Sequence, residues 1–284
     1  LVTVSALLTD IKRKAQIEQN QQTITDADIL DLANRELQSY VAPKLVVAQE
    51  RYFSTFIEYN VSSTQRRYRI PARCIGGRVL DVTLFANTFE YRLPRLHPTE
   101  STRIEWGFFF DGRDIVISSN ITSGILRIYY QLRPSTMVTS TTTASVSSVS
   151  ASAIGATIAN GTYDVIGSAG LNQVAVPNIV INSNVAAQPA DWIQTVNLQD
   201  YATTGDLVVP QGQTTTVPLP LELHDVLAFR CAMRIKQMKG LIDDYNSMRI
   251  IYEEVEANAY ALVTPRSENA EKAIRPLDML GWGY

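Results

Sequence analysis

Apolar residues recur with a helical period at both ends of the chain and with a period of two in between. Leu7, Leu8, Ile11 and Ala15 share one side of a helix expected from about Val4 to Gln19. Thr25 opens a second helix. Its hydroxyl can cap free N–H groups of the first turn, and Asp26, Asp28 and Asp31 stand near the positive end of the helix dipole. Ile29, Leu32, Ala33, Leu37, Tyr40 and Val41 give that helix one buried stripe, and Pro43 marks a break or the start of a further short helix. Towards the other end, Pro218 and Pro220 lead into a helix from Glu222. Leu223, Val226, Leu227, Cys231 and Ile235 line one side of it, Arg230, Arg234, Lys236 and Lys239 lie mostly on another, and Gly240 is its stop. A last helix from about Ile242 carries Tyr245, Met248, Tyr252, Val255, Ala259 and Leu262 and ends at Pro265.

From about Tyr52 the period is two. Phe53–Tyr59 and Arg67–Ile70 are expected to pair around Ser62-Ser63-Thr64, with Arg78–Phe85 and Phe89–Leu93 continuing the sheet. Phe108–Phe110 and Asp114–Ser118 flank the tight-turn pair Asp111-Gly112. Leu126, Ile128, Tyr130 and Leu132 alternate with Arg127 and Gln131 up to Pro134. The Ser/Thr-rich run that follows fits a disordered linker or a strand with a polar face, since Val146, Val149, Ile154 and Ile158 supply apolar positions. Tyr163–Ile166, Gln173–Val176, Ile179–Ile181, Trp192–Val196 and Asp206–Val209 read as short strands of a small β-module.

Charge separates these regions. No Lys or Arg occurs from Pro134 to Phe229, whereas the helical ends are rich in both signs. A hydrophobic content of 45% over 284 residues is enough for one large or two modest cores, and a charged content of 19% suggests surface covered by other chains. The net charge of −3 argues against a general nucleic-acid binder, which needs clustered cations. No apolar run is long enough to span a bilayer, so no membrane partner is expected. The opening LVTVSALLTDIKRKAQ has its basic residues after the apolar ones and reads as an amphipathic helix in place of a signal segment. Cys74 and Cys231 make no disulfide framework.

No catalytic constellation, cofactor motif or metal-ligand set is legible. His224 and Cys231 are seven apart, too far for paired ligands on one helix. Asp243-Asp244 is better read as a dipole partner than as a cation site, and Glu100, Glu105, Asp111 and Asp114 as loop carboxylates than as a glycosidase pair. The one basic cluster with an aromatic, Arg66-Arg67-Tyr68-Arg69, could touch nucleic acid or pair with acids of a neighbouring subunit, and the net acidic chain favours the second, a subunit interface.

The segment Gly205–Arg266, with GDLVVPQGQTTTVPLPLELHDVLAFRCAMRIKQMKG and a helix ending LVTPR, resembles the C-terminal part of head-to-tail connector proteins of tailed bacteriophages, also called adaptors or head-completion proteins. Tyr68–Leu84 (YRIPARCIGGRVLDVTL) looks like their strand, proline and double-glycine element, and Ile125–Pro134 (ILRIYYQLRP) like their aromatic strand ending in Arg-Pro. The resemblance implies a non-enzymatic virion protein of the neck, assembled in the bacterial cytoplasm. It implies a ring, commonly of twelve subunits, beneath the portal protein, with DNA passing through the lumen unread and a tail or nozzle protein below. The C-terminal tail would bind the portal through Arg266, Arg275, Leu277, Leu280, Trp282 and Tyr284. A basic-free middle and an acidic balance suit a channel that must not hold phosphates.

The expected fold is therefore α+β: a helical bundle of N- and C-terminal helices, a large antiparallel β insertion and an extended tail. The segments are bundle helices 1–51, a β-sheet region 52–133, a Ser/Thr-rich β-module 134–220, bundle helices 221–264 and a docking tail 265–284. The alternatives are a tail-decorating or receptor-binding β-protein whose Ser/Thr-rich module takes glycans and, behind it, a cell-wall-opening enzyme.

Overall fold

A computed structural model describes residues 2–17, 23–86, 89–97, 106–118, 121–167, 173–189, 191–194 and 196–264. Helix α1 (Val4–Ala15) starts on Thr3, whose side chain accepts from the Ala6 N–H, and stops at Gln16 in the left-handed region, earlier than the periodicity suggests. Helix α2 (Asp26–Glu36) opens with a reciprocal cap: the Asp28 N–H donates to Thr25 Oγ1 at 3.2 Å and the Thr25 N–H to Asp28 Oδ2 at 2.9 Å. A π-turn, Leu37–Val41, carries the chain into α3 (Ala42–Ala48), with Pro43 in its first turn.

Two β units follow. The strands β1 (Ser54–Ser62), β2 (Arg67–Arg69), β3 (Cys74–Ala86), β4 (Phe89–Arg92), β5 (Phe108–Asp111), β6 (Asp114–Ile117) and β7 (Ser123–Leu132) form a sheet ordered β1-β7-β3-β4 and a smaller one ordered β2-β6-β5. Leu126, Ile128, Tyr130 and Leu132 of β7 share a buried cluster with Ile115 and Ile117 of β6. The opposite face of β7 holds Arg127, whose guanidinium lies 4.5 Å from the centroids of both Phe56 and Phe85 and pairs with the buried Glu58 at 2.7 Å.

After β8 (Thr136–Met137) come β9 (Ala144–Val149), β10 (Ala153–Ala156), β11 (Gly161–Ile166), β12 (Val174–Asn182), β13 (Val185–Ala187) and β14 (Leu207–Pro210). These six close a barrel in the order β10-β13-β12-β11-β14-β9, with its own core. The Ser/Thr-rich run thus supplies strands: Val146 and Ile154 are buried while Ser145, Ser147 and Ser148 face out. The two segments expected around Pro177 are one strand, β12, with Asn178 at φ 58 absorbing the irregularity. Trp192 lies in no strand; its ring stacks on Phe56 at 4.6 Å and its indole N–H donates to the Phe56 carbonyl at 3.3 Å.

Strand β15 (Gln213–Thr214) pairs in parallel with β8, after which α4 (His224–Met238) and α5 (Ile242–Val263) complete the described chain, separated by Gly240 at φ 73. Ile29 of α2 and Leu7 and Ile11 of α1 share one core with Val226, Leu227 and Ile235 of α4, so the two chain ends do pack together. The N-terminal segment is stitched to the approach of α4 by Val4 N–H to Thr215 O at 2.8 Å and Val217 N–H to Val2 O at 3.1 Å.

The expected fold class is nevertheless overturned. The protein is mostly β, with several antiparallel sheets including the six-stranded barrel, and is not a helical bundle carrying one β insertion. The physical reason is where apolar surface is buried. Each β unit closes a core of its own, so the helices, which share a third core, are one part among three and not the body of the molecule.

Candidate functional site

Arg66, Arg67 and Arg69 lie on or beside β2 with exposed side chains. Arg67 bonds Asp111 at 2.5 Å and lies 3.9 Å from Asp114, and Arg69 lies 4.0 Å from the same Asp114. Tyr68 between them is buried, its hydroxyl donating to the Gln65 carbonyl at 2.8 Å. The acids that answer these arginines therefore include two from their own sheet, across the β5–β6 turn. Arg266, Arg275, Leu277, Leu280, Trp282 and Tyr284 lie outside the described residues, as do Glu100 and Glu105.

The other candidate ligands are dispersed. His224 is buried at the start of α4 with Nε2 3.0 Å from the Leu219 carbonyl. Burial pushes its pKa below the ordinary 6.5, against the Leu219 hydrogen bond and the charges of Asp225 and Glu222. Cys74 and Cys231 are free and buried, and burial raises the Cys74 thiol to about 11, an unreactive state. Asp244 pairs with Lys236 at 3.0 Å. Among the described residues no group of three His, Cys, Asp or Glu side chains is placed to hold a metal ion.

What the sequence brings together is a polar seam between helices from opposite chain ends. Glu36 on α2 accepts from Arg230 at 2.8 Å and from Arg234 at 3.0 Å, both on α4. The Arg230 guanidinium stacks 3.7 Å from the centroid of Tyr40, which the π-turn swings towards it. Glu256 on α5 accepts from Tyr252 at 2.6 Å, Lys44 at 3.0 Å and Tyr40 at 3.3 Å. Burial alone would raise its carboxyl. The hydrogen bonds from Tyr252, Lys44 and Tyr40 outweigh burial and hold the pKa below the ordinary 4.5.

This seam fixes α5 by one side only. Tyr252 and Ala259 are its buried residues, with Tyr245, Val255 and Tyr260 half-buried. Ile250 (73% exposed), Ile251 (52%) and Leu262 (71%) face out, as does Val47 of α3 (80%). Between α3 and α5 runs a shallow groove of about 690 Å³ lined by Pro43, Val47, Ala48, Ala257 and Tyr260 together with Lys44 and the acids Glu253 and Glu256. The periodicity of α5 identifies its apolar positions. It does not identify Ile250, Ile251 and Val47 as uncovered, because that depends on where the other helices stop. A second exposed cluster is aromatic: Phe89 and Tyr91 on the edge strand β4, with Trp106 5.3 Å from Tyr91.

No family model matches the chain, and no curated protein matches it.

Proposed function

We propose that this chain is a structural head-to-tail connector of a tailed bacteriophage, a ring subunit seated beneath the portal that joins capsid to tail and passes DNA. The observation that supports it best is the apolar exposure of α5 and its neighbour α3. Monomeric proteins rarely leave Ile, Leu and Val side chains so open along one helix, whereas an assembly subunit covers them with a neighbour. The segment 265–284, on which the docking residues fall, continues directly from the end of that helix. The barrel contributes a surface free of Lys and Arg, suited to standing close to DNA without holding its phosphates. In this reading the protein performs no chemistry and needs no cofactor. Electron microscopy of the protein mixed with its cognate portal tests it: a coaxial ring on the portal is expected, and absence of binding contradicts it.

The exposed aromatic cluster Phe89, Tyr91 and Trp106 favours a second reading, a tail-decorating or receptor-binding β-protein, because aromatic faces on a sheet edge suit sugar rings. Glycan binding lost in Trp106→Ala, together with no portal binding, would select it.

A further inference from the structure

The sheet β1-β7-β3-β4 has two edges, and they are not alike. The β1 edge is closed by the loop that carries Trp192. The Glu58 N–H donates to the Asp191 carbonyl at 2.8 Å, and the Phe56 carbonyl accepts from the Trp192 indole at 3.3 Å. The β4 edge has no partner strand among the described residues, and all four residues of β4 are exposed. The ladder fixes which backbone groups are free there. Phe89 lies opposite Ala86 of β3 and Tyr91 opposite Leu84, and the Leu93 N–H donates to the Val82 carbonyl at 2.9 Å. Hydrogen-bonded pairs alternate along an antiparallel ladder, so Phe89, Tyr91 and Leu93 turn their N–H and C=O groups towards β3. Glu90 and Arg92 turn theirs to the open edge, where free donors and acceptors form a template for another strand.

The side chains decide which strand fits. Antiparallel self-pairings that match the free groups are centred on Glu90, Tyr91 or Arg92. The first sets Glu90 against Glu90 and the last sets Arg92 against Arg92, and like charges directly opposite are destabilising. The pairing centred on Tyr91 sets Glu90 of each copy against Arg92 of the other. Arg92 also holds Asp81, but through Nε at 2.9 Å, which leaves its terminal nitrogens for the second copy's Glu90. We infer that β4 pairs with β4 of a second copy of this chain, antiparallel about a two-fold axis at Tyr91, so that the sheet runs on through both copies. Backbone hydrogen bonds, both Glu90–Arg92 pairs and the facing Tyr91 rings hold the contact. Phe89 and Trp106 stand 6.4 and 5.3 Å from Tyr91, so the axis also joins the exposed aromatic clusters of the two copies. This goes beyond the connector reading and does not rest on it. A ring repeats one head-to-tail contact, whereas this contact is isologous and closes at a pair.

The test is oxidative cross-linking of the full chain carrying Tyr91→Cys, with diamide as the oxidant, over a concentration series. Position 91 faces itself across the axis as a non-hydrogen-bonded pair, with Cα atoms about 4.5 Å apart, within the span of a disulfide. Cys74 and Cys231 are buried. A covalent dimer on a denaturing gel is expected. Adding Glu90→Lys, or adding Arg92→Glu, sets like charges opposite each other, and the dimer yield is expected to fall roughly tenfold at equal concentration. Mixing the two charge variants restores opposite charges at both pairs, and the dimer is expected to return. Thermal melting of each variant is the control for folding, and Glu90→Lys leaves the Arg92–Asp81 pair intact. No dimer from Tyr91→Cys at any concentration, an undiminished dimer in either charge variant, or a mixture that fails to restore it overturns the inference. The cross-link reads this contact alone, so none of these results bears on portal binding, which tests the connector reading separately.

Discussion

The Arg73 guanidinium grips the Asp164 carboxylate with two hydrogen bonds, 3.0 and 2.8 Å long, and in doing so ties the loop before β3 to β11 of the barrel. Asp164 is fully buried, and the backbone N–H groups of Asn178 and Gly212 donate to its oxygens at 3.0 and 2.9 Å. Removing one partner of such a pair leaves a buried charge without compensation, which costs about 3–5 kcal/mol. Arg73→Met is therefore expected to lower the urea midpoint of unfolding sharply, and Asp164→Ala to do so by a comparable amount. A loss below about 1 kcal/mol in both would show that the two β units do not depend on this clasp.

Asn34 of α2 bonds the β8–β15 pair directly. Asn34 donates to the Met137 carbonyl at 3.0 Å and accepts from the Met137 N–H at 2.8 Å, while Met137 itself is buried in the helical core. Asn34→Ala leaves both backbone groups unpaired, at about 1–3 kcal/mol for each buried group so orphaned. Amide exchange at Met137 should accelerate more than exchange within the barrel. Equal acceleration everywhere would mean global destabilisation only.

Stability is expected to fall as the solution becomes acidic, in two stages with distinct causes. The folded-state pKa of His224 lies below 6.5, so as pH drops through 6.5 the unfolded chain takes up a proton that the folded chain refuses, and folding weakens until the folded pKa is reached. At lower pH, Glu256, whose folded pKa lies below 4.5, loses its stabilising charge. His224→Gln should flatten the first stage and leave the second. Urea midpoints measured across the range check this, and an unchanged first stage in the variant would assign it to another group.

Removal of residues 265–284 is expected to abolish portal binding without unfolding the subunit. Pull-down on portal, with thermal melting as the control, reads both. A truncated chain that still binds portal moves the docking role to the helical layer or the barrel.

Much of this fold is legible locally. Thr25 is a cap because its hydroxyl accepts from the Asp28 N–H while the Asp28 carboxylate accepts from the Thr25 N–H, all within four residues. The alternation in β7 places Leu126, Ile128, Tyr130 and Leu132 in one core because side chains on a strand alternate by face. The barrel is not legible in the same way. Its closure depends on β9 pairing with both β14 and β10, contacts between segments whose local composition fits a linker equally well. A periodicity window registers Val146 and Ile154 and cannot show that they face the same interior. The fold class failed for that reason: helix signals at the ends are strong per residue, while the β units take their cores from distant pairings. The arginine cluster shows a similar limit, since Asp111 and Asp114 reach Arg67 only through the pairing of β2 with β6.

The central claim, that this chain is a ring subunit on the portal, is tested most directly by imaging portal-bearing heads after addition of the purified protein. The account predicts a ring of density coaxial with the portal, about twelve copies as the connector resemblance implies. Heads whose portals stay bare while the protein remains monomeric, or binds elsewhere along the tail, would contradict it.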